Sequence, residues 1–354
     1  MEEEWQSVKT VEYDSFLEFY EENFIEPITN KKNRTGKCLE FNYKDFIFRG
    51  MHDASYELIP SFHRWFRSSP YYSLVSGNYQ TAFESCFFNE FKFLEEFYKQ
   101  CNFQGLPIPG DINLSKYQFT QIYSNKEILE TMTNTDLENI KKNVFENVME
   151  KGQWVSDMYL NFVALAQHYG LPTRMLDWTF DVRVAAYFAT LKNLKKRTNR
   201  SYVIWALNTA EIGTLRYKKI KTQQDTIPLE FVVPQYSQNP NICAQKGILT
   251  TWRLNLCTDE GKESYENELR DTNNAALEKL ISDYCKNSFN DDDWKGIVKK
   301  MDNEAVLYKF IFPSEDINST LRFLREQDYL TAHLFPGYKG CADQSKNWKV
   351  LGLL

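Results

Sequence analysis

Between about Tyr79 and Cys101 apolar residues recur at three- and four-residue steps, through Phe83, Phe87, Phe91, Leu94, Phe97, Tyr98 and Cys101. That spacing predicts one long amphipathic helix. The stretch QGLPIPGDIN (104–113) breaks it with two glycines and two prolines. A second helix is expected over about 153–168, carrying Val155, Tyr159, Phe162, Val163 and Ala166 and closed by Gly170 and Pro172. VRVAAYFATLKNLKK forms a third, capped by Thr179 or Asp181, with its basic residues at the C-terminal end that the helix dipole favours.

Other runs read as strands. DFIFRGM (45–51) is β-rich and ends at a glycine, so it delivers Arg49 to a strand end. Pro60 and Ser61 then open a helical turn that carries His63 and Arg64. SYVIWALN (201–208), PLEFVVP (228–234), GILTTWRLN (247–255) and AVLYKFIF (305–312) are four later strands, followed by a helix from Ser314 to about Gln327. Early helices followed by clustered strands predict an α+β domain over 41–354, after an N-terminal helical lead-in at 1–40. Two helical insertions are expected, one polar at about 102–152 and one acidic at about 257–304.

The 354 residues, 42% apolar and 16% aromatic, supply a sizeable core. The acidic start lacks a secretory signal and no window approaches eighteen apolar residues, so a soluble cytoplasmic protein without a membrane partner is expected. Seven cysteines without a C-x-x-C spacing read as reduced, mostly buried thiols. Four scattered histidines suggest no metal site.

The net charge of −6 is uneven. Residues 257–304 hold thirteen acidic and seven basic side chains, the whole excess. Residues 190–223 hold nine basic groups between Lys192 and Lys221 against Glu211 alone, either a basic face or a solvated helix end with its loop.

The segment AQHYGLPTRMLDWTFDVRVAAYFA (166–189) sets a His, two Arg, two Asp and a Trp among apolar residues. Read as a turn between two apolar helices, it buries polar groups, and Arg174 and Asp177 would satisfy each other or Arg49, Arg64 and Glu84. One reading is a network that fixes helix docking, with Trp178 as packing. The other is a cleft whose Arg, His and Thr donors await an anionic or polar ligand, and the density of groups favours it.

FRG at 48–50, PSFHR at 60–64, AQHYGLPTRMLDWT at 166–179 with VRVAAYFA after it, AQKG at 244–247 and LFPGYKGCA at 334–342 resemble the FRG domain, named for its Phe-Arg-Gly motif. The blocks run in the family's order across about 45–345. The resemblance implies a link to phage defence and toxin modules, and to a split β core of the ADP-ribosyltransferase type whose Arg-Gly strand opens an NAD site. It then implies that NAD is bound by Arg49, Gly50, Arg64, Tyr169, Arg174, Trp178 and Thr179, and that Arg49, His168, Asp177, Glu84 and Gln245 act in catalysis.

Such transferases usually place a Glu on a late strand, where AQKG offers Gln245. An amide brings no negative charge, so either Glu84 supplies it or the chemistry differs. The expected activity is an NAD-dependent ADP-ribosyltransferase acting as an intracellular toxin or anti-phage effector. Its acceptor is nucleic acid, RNA above all, on the 192–221 basic segment, or a protein, and an antitoxin or chaperone partner goes with a toxin. Tyr202, Trp205 and Tyr217 could stack on bases there, though Tyr202 and Trp205 lie in a β-like run that favours core packing. The alternatives are a metal-free RNA-cleaving toxin, with His168 as acid–base and Arg49, Arg64 and Arg174 as phosphate clamps, or a non-catalytic nucleotide-sensing or interaction module.

Overall fold

A computed structural model describes residues 6–25, 43–69, 79–110, 112, 133, 153–196, 200–222, 226–256, 258–288 and 305–347. Its strands are β1 (Val8–Glu12), β2 (Phe46–Met51), β3 (Gln153–Trp154), β4 (Met175–Thr179), β5 (Tyr202–Asn208), β6 (Leu229–Val232), β7 (Gly247–Trp252), β8 (Leu254–Asn255) and β9 (Leu307–Phe312). Seven of them form one mixed sheet in the order β1-β9-β5-β2-β4-β7-β6, while β3 and β8 pair separately. β1 runs parallel to β9, and the other pairings are antiparallel. Every residue of β5 is buried. This is why YVIWALN reads as an unbroken apolar run: both of its faces are covered.

Twelve α-helices occur among the described residues. They are α1 (Phe16–Tyr20), α2 (Ser61–Ser68), α3 (Tyr79–Phe103), α4 (Leu160–His168), α5 (Val182–Lys196), α6 (Thr209–Thr222), α7 (Pro240–Ala244), α8 (Asp259–Arg270), α9 (Leu277–Ser288), α10 (Ile317–Glu326), α11 (Thr331–Leu334) and α12 (Tyr338–Lys346). None of the described helices is long and apolar enough to cross a membrane.

The helices sort into three apolar clusters. α1, α5 and α10 pack on β2, β5 and β9 around Phe48, Tyr187 and Phe310. α6 and α9 contribute Leu215 and Ile281 to a second cluster with Trp178 and Trp205. α3, α4 and α8 meet around Phe162, Met175 and Tyr265, at the β4-β7-β6 end of the sheet.

The fold departs from the sequence reading at several places. The expected helical lead-in at 1–40 contains an edge strand, β1, because Val8–Glu12 finds a partner 299 residues away in Leu307–Ile311. The expected helix at 153–168 begins only at Leu160, after a short strand and a 3-10 turn at Asp157–Tyr159. MLDWT, read as part of a turn, is strand β4, with Leu176 and Trp178 buried on one side and Met175 and Thr179 on the other. Part of the basic 190–223 run, read as a loop, is helix α6. The acidic insertion does not stand off from the core, since Tyr265, Leu269, Leu277, Ile281 and Cys285 are all buried within it. Of the free cysteines described, Cys101 and Cys285 are buried, but Cys243 and Cys341 are exposed. The polar insertion at 102–152 lies almost wholly outside the described residues.

Two features of β2 position the site. Gly50 is where helix α5 touches the sheet: a Cβ there would lie 1.7 Å from the Ala185 carbonyl oxygen. Beyond that point β2 and β4 separate, being in register only at Phe48 and Thr179. The sheet therefore has two parts joined at one residue pair. Gly50→Ala has no flexible neighbour to push aside, and it is expected to cost about 3 kcal/mol or more. Urea unfolding measures this, and a variant as stable as the parent would contradict the packing described.

Candidate active site

Arg49 projects from β2 at the point where the sheet parts. Its Nη1 donates to the Asp177 carbonyl at 2.6 Å and lies 3.5 Å from Asp177 Oδ2. The guanidinium is mostly buried, with 17% of its side chain exposed, and its Nε has no hydrogen-bond partner. Asp177, by contrast, is 57% exposed. The arginine thus bridges the divergent strands while its carboxylate neighbour faces solvent.

Three more elements converge on this point. Gln167, in the last turn of α4, donates from Nε2 to Asp177 Oδ2 at 3.0 Å. Its Oε1 accepts from Thr173 Oγ1 at 2.8 Å and Ser61 Oγ at 3.1 Å. His168 follows on the same helix and is half-buried. Burial lowers its pKa, an effect that the Asp177 charge opposes. On α2, Arg64 donates to the Ile59 carbonyl. Its pKa is lowered by burial and then by the charge of Arg49, with Asp177 acting in the opposite sense. The charges of Arg49 and Arg64 therefore oppose one another, and the exposed Asp177 carboxylate offsets them.

The FRG domain family model matches residues 113–198. The chain carries an FRG domain. The matched segment includes α4, β4 and most of the polar groups just described, Gln167, His168, Thr173 and Asp177, whereas Arg49, Ser61 and Arg64 are brought to it by the fold. No curated protein and no solved structure matches the chain.

Other expected site residues of the FRG domain lie elsewhere. Arg174 is buried and pairs with neither Asp177 nor the cleft. It grips Glu90 of α3 through Nε at 3.0 Å and Nη2 at 3.1 Å, and its Nη1 lies 3.7 Å from Glu268 of α8. Its guanidinium sits over the Tyr265 ring, 5.1 Å from the centroid, and His63 Nε2 is 3.0 Å from the same Glu268. The neighbouring carboxylates raise the arginine's pKa against the effect of burial. This is a buried ion network that ties α2, α3, α8 and β4 together, and removing one partner costs about 3–5 kcal/mol. It corrects the reading of Arg174 as a ligand-binding group, because its guanidinium is 2% exposed and already held by Glu90 and Glu268, at the wall of a small cavity it shares with His63.

Trp178 is likewise buried and donates to Thr250 Oγ1 at 2.8 Å, so its ring is packing and cannot stack on a ligand. Thr179 Oγ1 donates to the Gln245 carbonyl at 2.7 Å and accepts from the Asp181 amide, so its hydroxyl serves the turn into α5. The side-chain amide of Gln245 is used up differently, donating to the Leu334 carbonyl at 3.0 Å. Gly50 faces α5 and has a packing role. Tyr169, 66% exposed, sits edge-on to His168 beside the cleft. Glu84 falls on α3 where side chains lie outside the described residues, as do those of Lys192, Lys195, Lys196, Lys218, Lys219 and Lys221. Tyr202 and Trp205 are core residues, and Tyr217 is exposed.

Sequence reading passed over Gln167 and Ser61 as site residues. Their signal was present only as uncharged polar groups inside AQH and PSFH, and an uncharged side chain at a helix end looks like ordinary solvation until its partners are known.

At the other end of β4, Asp181 fixes the entry to α5. Its carboxylate accepts from Arg183 Nη2 at 2.9 Å, Lys246 Nζ at 2.7 Å and Tyr329 Oη at 2.6 Å. Burial would raise its pKa, but these hydrogen bonds outweigh it and hold the carboxyl well below the usual range. A depressed folded-state pKa stabilises the fold above the unfolded value, about 3.9, and this contribution fades as pH falls toward the folded value. Asp181→Asn is therefore expected to cost about 1.5–3 kcal/mol near neutrality. Thermal melts should show a loss at pH 7 that shrinks by pH 3, and equal losses at both would contradict the assignment.

Proposed function

We propose that this FRG domain is an NAD-dependent ADP-ribosyltransferase, with its NAD site in the split between β2 and β4. The observation that carries the reading is the mostly buried Arg49 at the joint of β2 and β4 beside the exposed Asp177, with the charge of Arg64 near enough to oppose its own. A diphosphate would relieve that repulsion. NAD supplies both a diphosphate and, as nicotinamide leaves, a developing positive charge on the ribose. Asp177 answers that second need, being the exposed carboxylate beside Arg49. Gln245, whose amide is engaged with Leu334, is not needed for it. Tyr169 offers an exposed ring for the nicotinamide end, and His168 a largely neutral imidazole that accepts a proton from the acceptor.

The finer likeness to an ADP-ribosyltransferase core is part of this proposal, supported by the single-pair joint of the sheet and by Arg49 at its edge. The biological setting proposed is a toxin or anti-phage effector. The 192–221 segment gives nucleic acid, RNA in particular, as the acceptor that its charge would attract.

A second reading has one observation in its favour. His168, whose pKa burial lowers, and the two arginines all feel the charge of Asp177, and that set also suits metal-free cleavage of RNA, with the imidazole as base and the guanidiniums on the phosphate.

Labelled NAD incubated with the purified protein, once with total RNA and DNA and once with lysate protein, separates the two. The transferase reading expects nicotinamide release and label fixed to one acceptor class. In Arg49→Ala the rate should drop about 100-fold, equivalent to about 2.7 kcal/mol of transition-state binding, while the fold is retained with a lowered melting temperature because the Asp177 carbonyl loses its donor. Intact NAD throughout overturns the reading, and RNA cut under the same conditions supports the second.

A further inference from the structure

We infer that Gln167 is a positioning residue that fixes the Asp177 carboxylate, so that Oδ1 is the oxygen presented to the ligand. The inference deepens the proposal above and rests on that reading for the part Asp177 plays in turnover.

The amide's orientation follows from its partners. Thr173 Oγ1 already accepts from the Met175 amide at 3.1 Å, so its one hydrogen goes to Gln167 Oε1. Ser61 Oγ accepts from the Thr173 amide at 3.0 Å and turns its hydrogen toward Gln167 Oε1 and the Thr173 carbonyl, each at 3.1 Å. With the oxygen of Gln167 held by hydroxyl donors, its NH2 group must face Asp177 Oδ2. The sequence of bonds runs one way, from the Met175 amide through Thr173 and Gln167 to Asp177, and such aligned chains strengthen each member.

The consequence lies at the carboxylate. Oδ2 is held by Gln167 at 3.0 Å and by the longer contact with Arg49 at 3.5 Å. No hydrogen bond to Oδ1 occurs among the described residues, and the side chain is 57% exposed. A solvent-facing aspartate would otherwise sample several rotamers. Gln167 removes that freedom with a group anchored on two other elements, the start of α2 through Ser61 and the lead into β4 through Thr173. The amide is therefore more than a surface residue of α4, since it connects three segments and ends on the exposed acid.

Gln167→Glu separates this role from a structural one. The new side chain keeps an oxygen for Ser61 and Thr173 but loses the N–H donor to Asp177 and sets a second negative charge beside it. Gln167→Leu removes both functions. For Gln167→Glu, kcat for nicotinamide release should fall about 30-fold, in the range seen when groups that orient a reactive residue are removed. KM for NAD should stay within about threefold, because Arg49 and Arg64 are untouched, and the melting temperature should match the parent.

A crystal structure of Gln167→Leu supplies a readout that does not depend on turnover. Rotation of the Asp177 carboxylate away from its parental position supports the inference even if the parent shows no reaction with NAD, in which case only the NAD reading fails. Asp177 unmoved in that structure, or parental kcat in Gln167→Glu, overturns the inference.

Discussion

Everything at this site depends on how β2 leaves β4. The two strands share a single register pair, Phe48 with Thr179, and then part. Backbone groups exposed by a parted ladder need partners, and a guanidinium is well shaped to provide donors to them. Arg49 does so by bonding the Asp177 carbonyl. This one contact closes the gap on the backbone side and holds the arginine's charge beside the exposed Asp177 carboxylate.

The three residues of the Phe-Arg-Gly motif divide the work accordingly. Phe48 is fully buried in the cluster under α5 and lies opposite Thr179 at the joint. Gly50 lets α5 come against the strand, as no residue with a Cβ could. Between them Arg49 points to the split. The helix that presses on Gly50 is set by Asp181 at its start, and the other half of the cleft is set by the Arg174 network, which fixes β4 to α3 and α8. Two buried ion clusters thus hold the walls, and the groups left solvent-facing between them are Asp177, Arg64, His168 and Tyr169.

Local pattern was sufficient wherever one face of an element is apolar. The span of α5 matches VRVAAYFATLKNLKK, and α3 follows the three- and four-residue steps of its aromatic residues. Pattern failed where an element owes its form to distant partners. β1 is short and polar on its exposed positions and exists because β9 offers an edge, and MLDWT is a strand because β7 pairs along its whole length. The density of charge in 166–189 singled out the segment, but not how its charges are divided. Arg174 and Asp177 lie three residues apart, yet one is locked to Glu90 and Glu268 and the other faces solvent. The partners of Arg174 come from α3 and α8, and no spacing rule brings them together. On one side of β4 the segment is a docking network, and on the other Asp177 faces solvent beside Arg49.

The central claim is that Arg49 and Arg64 form a seat for a diphosphate in the parted sheet. A crystal structure of the protein with ADP-ribose tests it most directly. The account predicts the diphosphate against the guanidiniums of Arg49 and Arg64 and a ribose hydroxyl against Asp177 Oδ1. ADP-ribose seated elsewhere, with Arg49 still bonded only to the Asp177 carbonyl, would contradict it.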